Sequence, residues 1–178
     1  MYKNDYFTEK VKENQLTMGN LINNNTNTKK ASHYKRVDIV SIKMVRESSI
    51  LYKNRKVSSP SDAYELIKDF IENSDRELLI ACCLDTKNQP TSINVVSVGT
   101  LNSSLVHPRE LFKPAILSNS ASLIVAHNHP SGYLEPSNED INITNRIKEC
   151  GKLLGIDIID HIIIGDENFI SLKEKGFL

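Results

Sequence analysis

His127 and His129 stand two residues apart in the hexapeptide HNHPSG, at the end of the short apolar run SLIVA. If that run is a strand, its period of two turns both imidazoles to one face and Asn128 to the other. Imidazoles at that spacing can share one metal ion. Pro130 resists continued sheet pairing, and Gly132 permits the tight turn of a chain leaving the sheet. Taken alone, the pair describes two polar residues at a strand end equally well. It also falls one short of the three protein ligands of a catalytic zinc site.

Asp140, in PSNED, lies eleven residues after His129 and offers the third ligand, if a helix start folds back over the strand end. A second reading stands beside it. Ser137 to Asp140 is S-x-x-D, close to the capping-box pattern, and an acid in a first helical turn gains from the helix dipole with no metal at all. The two roles are compatible, since Ser137 can cap with its hydroxyl while Asp140 faces an ion. Two histidines, an aspartate and a water would make an open, catalytic site, which needs an acid near the water to take and return a proton. Glu77, in SDRELLIACC, stands where a helix ends and an apolar strand begins. It also reads as an ordinary solvated acid beside Arg76.

These residues need elements to place them. VDIVSIKMVRE alternates as a strand, with Val37, Ile39 and Ile42 turned inward. SSPSDAYELIKDFIEN has Ala63, Leu66, Ile67, Phe70 and Ile71 at helical spacing, with Ser61 or Asp62 as the cap. ELLIACCLD is a buried strand, DTKNQP a turn and TSINVVSVG the hairpin partner. Pro108 begins a helix that Pro114 interrupts, with a kink or a late helix start. SLIVAHNHP is the strand that delivers the histidines. SNEDINITNRIKECGKLLG is a helix with Ile141, Ile147 and Leu153 inward and Gly155 near its end. IDIIDHIIIGD and a short strand in DENFISLKEKG close the chain. The order predicts a mixed α/β domain with a central sheet and surrounding helices.

Composition narrows the function classes. The 178 residues suffice for one domain with a real core, and 39% hydrophobic with 25% charged content is ordinary globular composition. Twenty-two basic and 22 acidic residues cancel, which argues against a general electrostatic grip on nucleic acid. Lys29, Lys30, Lys35 and Arg36 could touch phosphate, or belong to a solvated linker. No apolar run approaches a membrane span and no signal segment is visible, so a cytoplasmic protein is expected. Cys82, Cys83 and Cys150 form no CxxC, and the adjacent pair reads as small buried hydrophobes. Metal binding would therefore rest on imidazole and carboxylate. GKLLG lacks the layout of a phosphate loop. Residues 1–35, with six asparagines in NQLTMGNLINNNTNTKK, read as a flexible arm preceding a domain over 36–178. His107 reads as a turn or helix-start residue and His161 as a satisfied core or interface histidine.

The pattern H-x-H-P-S-G-x₄-S-x₂-D from His127 to Asp140 resembles the JAMM zinc motif of the JAB/MPN metalloprotease superfamily. The runs LDTKNQP, VVSVGTLNSSLVHPRELFKPAILSNSAS, IVAHNHPSG, PSNEDI, GKLLGI, DHIIIGD and SLKEKG resemble its RadC branch, over roughly residues 60 to 178. The resemblance implies a JAB/MPN-like (cytidine-deaminase-like) fold. It implies Zn²⁺ held by His127, His129 and Asp140, with Glu77 as general acid/base and Ser137 helping to hold the tetrahedral intermediate. The implied reaction is hydrolysis of a peptide or isopeptide bond in a peptide or protein substrate. RadC-like proteins often carry an N-terminal region resembling a helix-hairpin-helix, read as DNA-binding. The first 35 residues here are too short for it, so a catalytic domain with little else is expected. The competing expectations are a DNA-associated role and a non-catalytic MPN-type binding module. An exposed sheet edge would permit a homodimer.

Overall fold

The computed structural model describes residues 35–71, 73–99 and 106–178. The chain divides into two units, Met1–Ser41 and Ile42–Leu178, and every described helix and strand belongs to the second. The expected arm therefore lies almost wholly outside the described residues. In chain order the elements are α1 (Pro60–Ile71), β1 (Leu78–Leu84), β2 (Pro90–Val98), α2 (Pro108–Leu117), β3 (Ser122–Asn128), α3 (Asn138–Leu154), β4 (Asp157–Ile164) and β5 (Phe169–Ser171).

The strands form one five-stranded sheet in the order β2-β1-β3-β4-β5. β1 is antiparallel to both β2 and β3, β3 is parallel to β4, and β4 is antiparallel to β5. The parallel step is the β3–α3–β4 crossover, the connection that parallel neighbours require. β3 lies at the centre and all seven of its residues are buried. Its side chains alternate between two cores. Leu123 and Val125 join Leu111, Phe112, Ala115, Ile143 and Ile147, from α2 and α3, on one face. Ile124 and Ala126 join Ala63, Leu66, Ile67 and Ile71, from α1, on the other. This is the mixed sheet with surrounding helices that the order of periodic segments predicts.

Four details depart from expectation. Residues 35–52 carry no regular secondary structure, and Val37, Ile39 and Ile42 are exposed rather than inward. Among the described residues no strand lies beside this stretch to make a ladder, and alternation alone forms none. α1 is capped by Ser59, whose Oγ accepts from Asp62 N at 3.1 Å, while Asp62 reaches back to Ser58 N at 2.9 Å. Pro60 takes the first helical position and so moves the cap upstream of Ser61. Pro114 does not end α2, whose first turn is closed by His107 Nδ1 accepting from Arg109 N at 3.1 Å. Finally, Phe70 is 42% exposed and Leu153 88% exposed. The buried stripe of α3 is instead Asp140, Ile143, Thr144, Ile147 and Gly151, one face of the helix at i, i+3, i+4 and i+7 with Gly151 a turn further on. Asp140 is the first residue of that stripe, so the same periodicity that packs the helix points this carboxylate inward.

Candidate metal centre

The chain reverses sharply after Asn128. His129 N donates to Ile164 O at 2.8 Å, one last sheet contact beyond β3, and Gly132 N then donates to His129 O at 2.9 Å to close a turn. Gly132 holds φ +78°, where only glycine is unstrained. The turn packs against the β4–β5 connection so closely that a Cβ on Gly165 would stand 2.5 Å from Gly132 O. The path then runs to Ser137, the N-cap of α3, and brings Asp140 back over the end of β3.

His127, His129 and Asp140 meet there, each offering a ligand atom within 4.8 Å of the others. His127 Nε2 lies 3.0 Å from His129 Nε2 and 3.4 Å from Asp140 Oδ1, and His129 Nε2 lies 3.6 Å from Asp140 Oδ2. His127 is wholly buried, Asp140 nearly so and His129 partly open. A polar cleft of about 410 Å³ opens on the His129 side, lined in part by Asn73, Ser74, Gly132 and Asp166. His129 Nδ1 contacts Tyr133 O; a carbonyl can only accept, so that nitrogen carries a proton, and in the neutral ring Nε2 is left with a lone pair.

Asp140 is both cap and candidate ligand. Its Oδ2 accepts from Ser137 N at 2.8 Å and from Ser137 Oγ at 2.7 Å, while Ser137 Oγ accepts from Asp140 N at 3.1 Å. The capping box foreseen in S-x-x-D is present, and Oδ1 is left toward His127. Burial opposes ionisation of Asp140, but His129, His127 and the two Ser137 donors outweigh it and hold the carboxyl well below its usual range. Burial pushes His127 well below the ordinary imidazole value, and the neighbouring His161 adds to this. The carboxylate of Asp140 raises His129.

Glu77 precedes β1 and is half-buried. It is one of the charges that raise His129, which puts it within electrostatic reach of that ring. Its backbone is held by a residue to which the sequence reading attached no function. Asn128, 2% exposed, accepts from Leu78 N at 2.7 Å through Oδ1 and donates through Nδ2 to Arg76 O at 3.0 Å. Its amide thus grips the chain on both sides of Glu77. Asn128 does face away from the triad, as strand parity requires, and this clamp is what it faces.

Two other buried polar groups stand close by on β4. Asp160 accepts from His161 N at 2.7 Å, Ser171 Oγ at 2.6 Å and Lys173 N at 3.2 Å, and so ties β5 and the chain end to β4. His161 is fully buried, and burial brings its imidazole down to about 4. The cysteines are unpaired; Cys82 and Cys83 are buried, and burial pushes the Cys82 thiol up to about 12. Among the described residues no helix is long and apolar enough to cross a membrane.

Comparison with known proteins agrees with this architecture. A model of the RadC-like JAB domain matches residues 57–177. A UPF0758 protein of Methanosarcina barkeri is 52% identical over 132 residues, covering 74% of this chain and 58% of the relative. UPF0758 proteins of Clostridium perfringens and Clostridium botulinum are 47% and 50% identical, over 84% and 80% of this chain and 71% and 64% of their own lengths. The chain thus spans under two thirds of the length of the Methanosarcina relative. Fold and triad define a JAB-type, metallohydrolase-like domain with a His-His-Asp group positioned to bind a metal. The chain belongs to the RadC family.

Proposed function

We propose that this domain is a zinc-dependent hydrolase that cleaves a peptide or isopeptide bond in a peptide or protein substrate, with His127, His129 and Asp140 as the zinc ligands. One observation carries the reading. The Nδ1 proton of His129 is committed to Tyr133 O, so in the neutral ring its Nε2 lone pair faces a second imidazole nitrogen at 3.0 Å and a carboxylate. Ring nitrogen lone pairs and an anion converging in a buried site repel one another unless a cation lies between them. Two imidazoles and one carboxylate suit zinc and leave a coordination position open.

When bound, zinc would polarise the scissile carbonyl and make water at the site more acidic. Glu77 takes the proton of the attacking water and returns it to the leaving nitrogen. Asn128 keeps Glu77 in place by gripping Arg76 O and Leu78 N. Ser137 has one hydroxyl proton, which rests on Asp140 Oδ2. Swinging it toward the developing oxyanion costs Asp140 one of its two Ser137 bonds, and the backbone N–H of Ser137 keeps the other. The cleft beside His129 gives a substrate chain its way in.

The test is metal analysis joined to a peptide-library cleavage screen on the wild type and Glu77→Gln. Protein purified without added metal should carry close to one zinc per chain, and the wild type should cleave where Glu77→Gln does not. Equal zinc in the wild type and in His127→Ala/His129→Ala would rule the centre out.

A further inference from the structure

Three histidines, not two, stand in line at the end of the sheet. His161 Nε2 lies 2.8 Å from His127 Nδ1, and His161 Nδ1 lies 2.6 Å from Thr144 Oγ1. Thr144 Oγ1 in turn lies 2.6 Å from the backbone carbonyl of Asp140. Both His161 and Thr144 are fully buried, so no water competes for these contacts.

Only one arrangement of protons satisfies all three contacts. A carbonyl oxygen accepts and never donates, so the single hydroxyl proton of Thr144 goes to Asp140 O. Thr144 Oγ1 is then an acceptor toward His161, and His161 carries its proton on Nδ1. The ring is fully buried with no carboxylate in hydrogen-bond contact, and a neutral imidazole protonated on Nδ1 has its lone pair on Nε2. His127 must therefore donate from Nδ1. Its own lone pair falls on Nε2, the atom that faces Asp140 Oδ1 and His129 Nε2.

We propose that His161 and Thr144 are positioning residues that fix His127 as the Nδ1–H tautomer and so present its Nε2 as a ligand atom. His129 reaches the same tautomer through an exposed turn, by donating to Tyr133 O. His127 reaches it through a buried relay that starts at the backbone of Asp140, so one proposed ligand orients the ring of another. The relay also constrains α3. Thr144 sits one turn after Asp140 on the same buried stripe, and a shift of the helix would break the carbonyl contact and the imidazole contact together. The zinc consequence rests on the metal-centre reading; the tautomer does not.

Two measurements separate these claims. The first is the ring-nitrogen NMR signature of His127 in zinc-free protein, in the wild type, His161→Phe and Thr144→Val. The wild type should show Nδ1–H, and both variants should lose that preference. The second is zinc affinity by chelator competition. His161→Phe should weaken binding by about 10- to 100-fold, the range for lost outer-shell partners, while His161→Gln, which can still accept from His127, should stay within about threefold of wild type. Should His161→Phe not fold, Thr144→Val against Thr144→Ser carries the test, with the hydroxyl-bearing serine restoring both readouts. The inference is overturned if wild-type His127 carries its proton on Nε2, or if folded Thr144→Val keeps both tautomer and zinc affinity. A wild type with the Nδ1–H tautomer lost in the variants, yet without zinc uptake, supports the relay and counts against the metal centre.

Discussion

His127, His129 and Asp140 lie within fourteen residues of one another, whereas Glu77 lies fifty residues before His127. The three ligand candidates are placed by local rules. Strand parity aligns the two histidines, a glycine turn reverses the chain, and a capping box fixes the carboxylate. Glu77 is placed by a non-local one, the pairing of β1 with β3, in which Leu79 stands opposite His127. Asn128 then secures the turn into β1. The two halves of the site should accordingly fail separately: damage to the local half removes metal, and damage to the distant half leaves metal and removes chemistry.

The largest expected effect is on the local half. Asp140→Ala takes away the only acid of the triad and half of the capping box together, and should lower zinc affinity by at least about 100-fold, with a capping loss of about 1 kcal/mol. Asp140→Asn keeps an oxygen for Ser137 N and should recover most of the stability but little of the affinity. Zinc content and a denaturant midpoint on the same preparations separate the two losses. Wild-type zinc content in both variants would mean that the carboxylate is a cap and nothing more.

The next effect belongs to the distant half. Glu77→Gln should keep zinc at full occupancy while hydrolysis falls by two orders of magnitude or more, the scale of lost general-base help. Loss of zinc from this variant would make Glu77 a ligand and erase the distinction between the halves. Full activity would place the base elsewhere.

Asn128→Ala sharpens the comparison further, because it attacks the joint between the halves without touching a proposed catalytic group. It strands Leu78 N–H and Arg76 C=O, and should cost about 1–3 kcal/mol of stability for groups left without partners. His127 remains held by β1 and β4 on either side, so zinc affinity should change little. Turnover should fall about tenfold as Glu77 loosens, a modest share of what general-base catalysis contributes. Chelator competition and cleavage rates read the two quantities apart. Parallel losses in both would show that the clamp supports the whole sheet end, not Glu77.

The same division explains what could be read from the chain alone. HNHPSG and S-x-x-D carry their geometry in residue types at short spacing, so the triad and its cap were legible. Asp140 could also have been assigned to the buried stripe of α3, had Ile143 and Thr144 been weighed with Ile147 in place of Leu153. Asn128 was legible only as a residue facing away from the histidines. What it grips depends on β1 lying beside β3, and no local pattern announces that pairing. His161 shows the same limit: burial was predictable from IDIIDHIIIGD, its partners were not. VDIVSIKMVRE failed for the opposite reason, since its alternation is clear but no strand among the described residues pairs with it, and propensity yields to context.

The last substitution tests whether Ser137 serves only Asp140 or also the substrate. Its hydroxyl accepts from Asp140 N and donates to Asp140 Oδ2, and its backbone N–H makes a second bond to the same oxygen. Ser137→Ala removes the first two and spares the third. As a cap alone, Ser137 would be worth about 1 kcal/mol, and its loss would loosen the carboxylate and weaken zinc several-fold. Ser137→Thr restores the hydroxyl and should restore both. An added role at the oxyanion appears only under turnover. With zinc saturating, so that the weaker affinity is masked, Ser137→Ala should still lower kcat by about 10²-fold with KM little changed, because the hydroxyl would act in the transition state and not in the ground state. A saturated Ser137→Ala enzyme with wild-type kcat would confine Ser137 to the helix cap. The local half of the site would then hold the metal and nothing else, and the chemistry would fall to Glu77 and the open face beside His129.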